Sequence, residues 1–410
     1  MSVSYEQFLL SVARTASDNG AGAEEKSVRR AGADGGRSGS RNLRQVLTEA
    51  QTWSESDWDK LLAMAAAHGV RPMLYRFLTA SGNSAIPDRV IATLQVFTQH
   101  NLNRNLGLTG ELIRLLRRFD ERGLDVIPYK GPTLAALAYG DLWLREFADL
   151  DLLIARADFE KAQELLMAEG YQPEILLNGG RAKTFARACN VMAFWDPVKE
   201  ISVELHWELS PKYLPFSPDF ERLRQRMVPS HPGGQRIMTL SQEDLLVYLC
   251  AHGAKHVWER LSWIVDVASL IGRHSEINWD IVRDRAAEQR CERVLLLGLR
   301  LARDVAGVEL PVGMEELIGR DRESGRMAAK VIQWLFQEEG STRGYGEQTS
   351  FLLGLHRWWP DKIRSLARLT LTPSVADWMS YPHLQNYPAL YPFLRPLRLV
   401  NKLTRFPKEL

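Results

Sequence analysis

A chain of 410 residues exceeds a single core of the usual ~100–200 residues, so two or three packed units are expected. Its composition, 45% hydrophobic and 25% charged, is that of a globular protein, and a net charge of +2 gives no reason to expect nucleic acid as a partner. Three distant cysteines, Cys189, Cys250 and Cys291, form no C-x-x-C pair, which argues against a zinc ribbon or a disulfide framework.

Met1–Leu10 has no basic segment ahead of its short apolar one, so no secretory leader is expected. No uncharged apolar run approaches the ~18 residues of a transmembrane helix. A cytoplasmic protein without a membrane span is the expectation. Residues 15–43, rich in Gly, Ala, Ser and Arg and poor in apolar periodicity, read as a disordered linker.

From Val46 to about Glu121 apolar residues recur at helical spacing, as at Leu61, Leu62, Met64 and Ala65 and again at Leu112, Leu115, Leu116 and Phe119. Gly123 stands where a helix-ending glycine would. The texture then changes. Leu124–Tyr129 and Phe147–Ile154 read as strands, and Pro132–Tyr139 and Asp158–Glu169 as helices. Asp158 suits an N-cap and Gly170 a C-cap. Strands near Tyr171–Leu177, Val191–Trp195 and Ile201–Trp207 follow. From Ser241, whose spacing to Asp244 suggests a capped helix start, amphipathic helices run to about Leu355.

The expected fold is α+β: a small mixed β-sheet core flanked by helical subdomains. The expected units are a terminal segment and linker (1–43), a helical subdomain (44–122), the α/β core (123–210), a second helical subdomain (211–355) and a Trp/Pro-rich basic tail (356–410).

Asp149 and Asp151 stand two apart in a strand pattern and so share a face, while Leu150, Leu152 and Ile154 point the other way. Adjacent carboxylates repel, and a hard divalent cation such as Mg²⁺ is their natural compensation. Glu204 and His206 repeat the pattern against Val203, Leu205 and Trp207. A carboxylate from a neighbouring strand would complete a site for two metal ions roughly 3.5–4 Å apart, an arrangement suited to phosphoryl transfer. Lys130 and Gly131 sit at a strand-to-helix junction, where a close backbone approach and a helix start favour a phosphate. Arg145 offers several donors to a triphosphate, or alternatively a surface pair with Glu146 or Asp141.

His252 and His256, four apart, share a helix face. They read either as packing or cleft-lining groups or as transition-metal ligands, with Lys255 and Arg260 as cations nearby. Asp266 is a candidate partner for one of those cations. After Arg357, arginines alternate with Trp358, Trp359, Trp378, Tyr387 and Tyr391. Such interleaving serves nucleic acid or a membrane surface, but prolines at 382, 388, 392 and 396 argue against a continuous amphipathic anchor. The expectation is that these aromatics pack on the helical domain.

Lys130-Gly131, Tyr139, Arg145, Asp149-Leu150-Asp151-Leu152-Leu153-Ile154, Gly170-Tyr171, Val203-Glu204-Leu205-His206-Trp207 and His252-Gly253-Ala254-Lys255-His256-Val257-Trp258, in that order and ending near Trp263 and Asp266, resemble an uncharacterised bacterial nucleotidyltransferase family of the polymerase-β superfamily. The resemblance covers about residues 45–310 and is sharpest between 129 and 266. It implies that Asp149, Asp151 and Glu204 bind Mg²⁺ and that Gly131 lies in the nucleotide-cradling turn. It also implies transfer of a nucleotidyl group from an NTP to an acceptor hydroxyl on a sugar, small molecule or peptide. Pro132 departs from the wider pattern and offers no N–H to a phosphate, which shifts the grip to Lys130 and Arg145. Two other readings stay open. One is a non-catalytic nucleotide-binding or scaffolding protein on the same fold. The other is a metal-dependent hydrolase using His206, His252 and His256.

Overall fold

A computed structural model describes residues 4–15, 43–83, 86–337, 344–381, 383 and 387–405. The expected linker therefore lies almost wholly outside the described residues.

Five helices come first: α1 (Tyr5–Arg14), α2 (Leu43–Ala50), α3 (Glu55–Ala67), α4 (Arg71–Ala80) and the long α5 (Asp88–Glu121). Ser54 and Asp57 close a capping box on α3, satisfying backbone donors that the first turn leaves open. Gly123, at φ 64°, follows α5 as the sequence suggests. The α/β unit then runs β1 (Val126–Pro128), α6 (Pro132–Leu134, continued by a π-turn to Tyr139), β2 (Asp149–Ile154), α7 (Phe159–Ala168), β3 (Gln172–Pro173), α8 (Gly179–Ala188), β4 (Val191–Asp196) and β5 (Ile201–His206). Asp158 makes no side-chain capping bond to α7, because a 3-10 turn over Arg156–Asp158 leads into the helix. The third strand shrinks to two residues at the sheet edge.

The sheet order is β1-β2-β5-β4-β3, and only β2 and β5 run parallel. Their register sets Asp149 opposite Ser202 and Asp151 opposite Glu204. Parallel partners in register point to the same side, so the period-two alternation of both strands is in phase. Leu150, Leu152, Ile154, Val203 and Leu205 turn to one face and pack with Phe159, Phe185, Phe194 and Trp207. The acidic residues turn to the other, where Leu153 joins Ile127 and Tyr129 in a second core shared with the helices.

After α9 (Phe220–Gln225) and the hairpin β6 (Val228–Ser230) and β7 (Ile237–Thr239) the chain is helical. The helices are α10 (Gln242–Lys255), α11 (Leu261–Arg273), α12 (Trp279–Glu288), α13 (Glu292–Ala306), α14 (Val312–Arg320), α15 (Arg322–Leu335), α16 (Tyr345–Gly354), α17 (Trp359–Leu371), α18 (Val375–Ser380) and α19 (Tyr391–Arg405). Ser241 caps α10 by accepting from the Asp244 N–H. The fold is thus α+β, a small mixed sheet between helical flanks. Among the described residues no helix is long and apolar enough to cross a membrane.

The tail departs from expectation. Trp378 and Tyr391 pack on the α/β core, with Trp378 edge-on to Phe185 at 5.3 Å, and not on the helical domain. Trp358, Trp359 and Tyr387 are exposed. Pro396 sits inside the 15-residue α19 and does not end it. Pro392 falls in its first turn, where the missing N–H costs no helical bond.

Candidate active site

The approach to β2 is held by α5. Asn101 Nδ2 donates to the carbonyls of Trp143 and Arg145 at 3.1 Å each, and Asn105 Nδ2 to those of Leu142 and Arg145 at 2.7 and 2.9 Å. Arg104 donates to the Phe147 carbonyl. These buried amides satisfy carbonyls that an irregular segment would leave unpaired. They fix where Asp149 begins its strand. Gly131, at φ 53° and ψ −126°, turns so close to the same strand that a Cβ would sit 3.1 Å from the Asp149 carbonyl oxygen. Glycine is required there by backbone conformation and by space.

On the acidic face, Asp151 is the deepest residue, with a side chain only 1% exposed. Lys130 Nζ lies 2.6 Å from its Oδ1, and Oδ2 is buried without a hydrogen-bond partner. His206 Nε2 stands 3.3 Å from Asp151 Oδ1 and 3.1 Å from Glu204 Oε2. One ligand atom from each of Asp151, Glu204 and His206 falls within 4.8 Å of the others. Glu204 is the most accessible of the three, and Asp149 is half-buried on the same face.

Burial pushes the Asp149 carboxyl up to about 6, and the nearby Asp151 charge pushes it further than Lys130 can offset. Burial opposes ionisation of Asp151 too, but Lys130 and His206 overcome it and hold that carboxyl well below the usual range. Lys130, though buried, is held above the ordinary lysine value by Asp151. The His206 hydrogen bond lowers Glu204. At ion-pair distance these carboxylates meet only Lys130 and His206, with Lys255 and Arg145 farther off, and Asp149 has no such partner among the described residues. An unpartnered buried carboxylate oxygen, an excess of negative charge and oxygen-rich donors fit a hard divalent cation. Asp151 and Glu204 would hold it, with Asp149 at its side.

Arg145 is not directed to Glu146 or Asp141. Its Nε and Nη2 reach Asp266 Oδ1 and Oδ2 at 2.8 and 3.1 Å, and the Tyr139 hydroxyl donates to Oδ1 at 2.6 Å. Asp266 therefore pairs with Arg145, and not with Lys255 or Arg260. Glu146 instead caps α4 through the Arg71 N–H at 3.0 Å. Position in the sequence could not reveal a pairing across more than 120 residues.

Rings lead away from the carboxylates. Tyr129 meets His206 with centroids 5.6 Å apart and Tyr248 at 5.0 Å; Tyr248 meets His252 at 5.8 Å. His252 and His256 lie 4.9 Å apart, and both lie against Trp263 at 5.5 and 5.0 Å. The residue patterns gave no role to Tyr129, Tyr248 or Trp263. Burial lowers His252 well below the ordinary histidine value, and burial with the Lys255 charge lowers His256 to about 3. Neither joins the metal-capable group, which among the described residues is limited to Asp151, Glu204 and His206. A zinc site of His206, His252 and His256 is not assembled. Lys255 has no ion pair among the described residues, and burial, then Lys130, lower its pKa.

The motif around α10's end has a mechanical reason. Val257 and Trp258 both take φ 54°, a left-handed conformation that is costly for a β-branched residue. The turn folds the fully buried Trp258 ring back onto Gly253, where a Cβ would fall 2.4 Å from the indole. This clasp fixes the face that carries His252, Lys255 and His256.

No curated protein and no solved structure matches the chain. A family model described as an uncharacterised nucleotidyltransferase matches residues 54–307, more than half of the chain and every element of the site above. The chain therefore belongs to that family of uncharacterised nucleotidyltransferases.

Proposed function

We propose that the protein transfers a nucleotidyl group from an NTP to an acceptor hydroxyl with the help of Mg²⁺, on the plan of polymerase-β-like enzymes. One observation carries this reading: the parallel register of β2 and β5 gathers Asp149, Asp151 and Glu204 on one face, where among the described residues only Lys130 and His206 pair with them. Residues 123–210 form the catalytic unit and the flanking helical segments complete its cleft. Two bound Mg²⁺ ions would neutralise phosphate charge and bring acceptor oxygen and phosphorus together.

The chain's own residues divide the remaining work. Asp149 and Asp151 provide the anionic floor, and Lys130 keeps Asp151 ionised. Glu204, nearest to solvent, accepts the acceptor's proton on a carboxylate oxygen. Gly131 keeps the turn tight beneath Asp149, where a side chain would not fit. Arg145 is committed to Asp266 and positions the wall of the cleft, so the phosphate-binding role expected of it passes to Lys255. The His252, His256 and Trp263 rings offer a stacking surface for a base.

The test is label transfer. Purified protein is incubated with each α-labelled NTP, Mg²⁺ and pools of sugars, small molecules and peptides. Pyrophosphate release and labelled product should be lost in Asp149→Ala and Asp151→Ala, and Lys255→Met should raise KM for the NTP. Pyrophosphate release that is unchanged in both aspartate variants overturns the reading.

A further inference from the structure

The segment from Arg357 to Arg405 carries eight Lys and Arg residues against two Asp, a surplus of six in a chain whose whole net charge is +2. One of the two acids, Asp377, is buried beneath Arg395 and Arg398. The other, Asp361, is paired with Arg364 at 2.6 Å. No free acid therefore offsets the surplus.

The same segment exposes large apolar side chains in numbers a solvated surface does not need. Leu369 and Ser365 of α17 face inward, yet Trp359 (71% exposed), Ile363, Leu366 and Leu371 face out, with Trp358 just before the helix. On the adjoining α19, Phe393 (74% exposed) and Leu397 do the same. A helix apolar on both sides is normally covered on both. Arg368 donates to the Lys212 carbonyl at 2.8 Å, and Lys212 to the Arg187 carbonyl, so two further cationic residues, Lys212 and Arg187, rim this surface.

We propose that α17 and α19 form a docking surface for an anionic lipid membrane. Tryptophans beside arginines suit the headgroup level, isoleucine, leucine and phenylalanine suit the acyl boundary, and the charge surplus suits anionic headgroups. Trp378 and Tyr391 anchor this unit to the sheet face opposite the carboxylates, so a docked protein keeps its cleft open to solution. The inference does not depend on the proposed chemistry.

The full chain is sedimented with phosphatidylcholine vesicles, with and without phosphatidylserine. Binding to a single-stranded RNA and self-association by light scattering are measured in parallel. Association is expected with the anionic vesicles and should weaken as salt rises. Arg357→Gln with Lys362→Gln should weaken it roughly thirtyfold, the equivalent of about 1 kcal/mol for each of two basic residues. Trp358→Ala with Trp359→Ala should also weaken it, with the melting temperature unchanged because both rings are exposed. No association with anionic vesicles, or association unaltered in both double variants, overturns the proposal. So does saturable RNA binding, or a dimer, that the same substitutions abolish while vesicle binding is absent.

Discussion

Asp149 and Asp151 differ in what surrounds them, and the difference separates function from stability. Asp151 has Lys130 at 2.6 Å and His206 at 3.3 Å, whereas Asp149 has mainly its acidic neighbours. Removing Asp151 strands a buried lysine, at a cost of roughly 3–5 kcal/mol. Removing the charge of Asp149 relieves a repulsion instead. Asp149→Asn is expected to raise the urea midpoint in chelator by the equivalent of about 1 kcal/mol at neutral pH. The same change should lower nucleotidyl transfer by roughly 10²–10³-fold or more, the range for losing one electrostatic group at a reacting centre. Parallel denaturation and label-transfer measurements check both halves. A loss of stability in Asp149→Asn would mean that the cluster is balanced without a cation. The pairing of like charges was visible in the sequence, because a strand's period of two leaves no other placement for residues two apart. The lysine that quiets Asp151 was visible only as a cation near a turn, since nothing local ties Lys130 to a residue 21 positions on.

Helix α10 works through its C-terminal clasp, and two predictions belong to it. Gly253→Ala would drive a methyl into the Trp258 indole, where nothing flexible can yield, and should destabilise the protein by about 1–3 kcal/mol in urea unfolding. The second concerns protons. His256 stays neutral in the fold down to about 3 because burial and Lys255 oppose its charge, while an unfolded chain takes up that proton near 6.5. Between those values the unfolded state binds more protons, so stability falls as pH drops from about 6.5 toward about 3. The urea midpoint should fall between pH 7.5 and pH 5, and less steeply in His256→Gln; equal slopes would remove His256 as the cause. Element by element, legibility followed periodicity. The helices, β2, β4 and β5 were readable because each has an apolar face. The parallel register of β2 and β5 was not, because it depends on a connection of two helices and two strands between them. The 3-10 entry to α7 and the outward rings of α17 were also hidden, since both depend on what packs nearby.

At the scale of the molecule, the site is shared between parts of the chain that meet only in three dimensions. The sheet carries the carboxylates, α5 fixes the approach to β2, and α10 and α11 face them with rings and cations. Arg145 and Asp266 join the approach to β2 with α11 through two hydrogen bonds, and Tyr139 adds a third from the π-turn. The pair is nearly buried, with side chains 12% and 2% exposed, so its value to stability differs from its value to alignment. Asp266→Ala leaves a guanidinium without its counter-charge and should cost roughly 3–5 kcal/mol. Replacing both partners, as Arg145→Met with Asp266→Leu, removes the desolvation penalty along with the attraction. That double variant should recover most of the lost stability. If the pair serves alignment, recovery of the melting temperature will not bring back nucleotidyl transfer: kcat should stay low while the fold is sound, because an apolar contact has no fork geometry to set α11 against β2. Full recovery of kcat together with stability would reduce Arg145–Asp266 to a structural ion pair and leave the cleft's alignment to α5 and its asparagines.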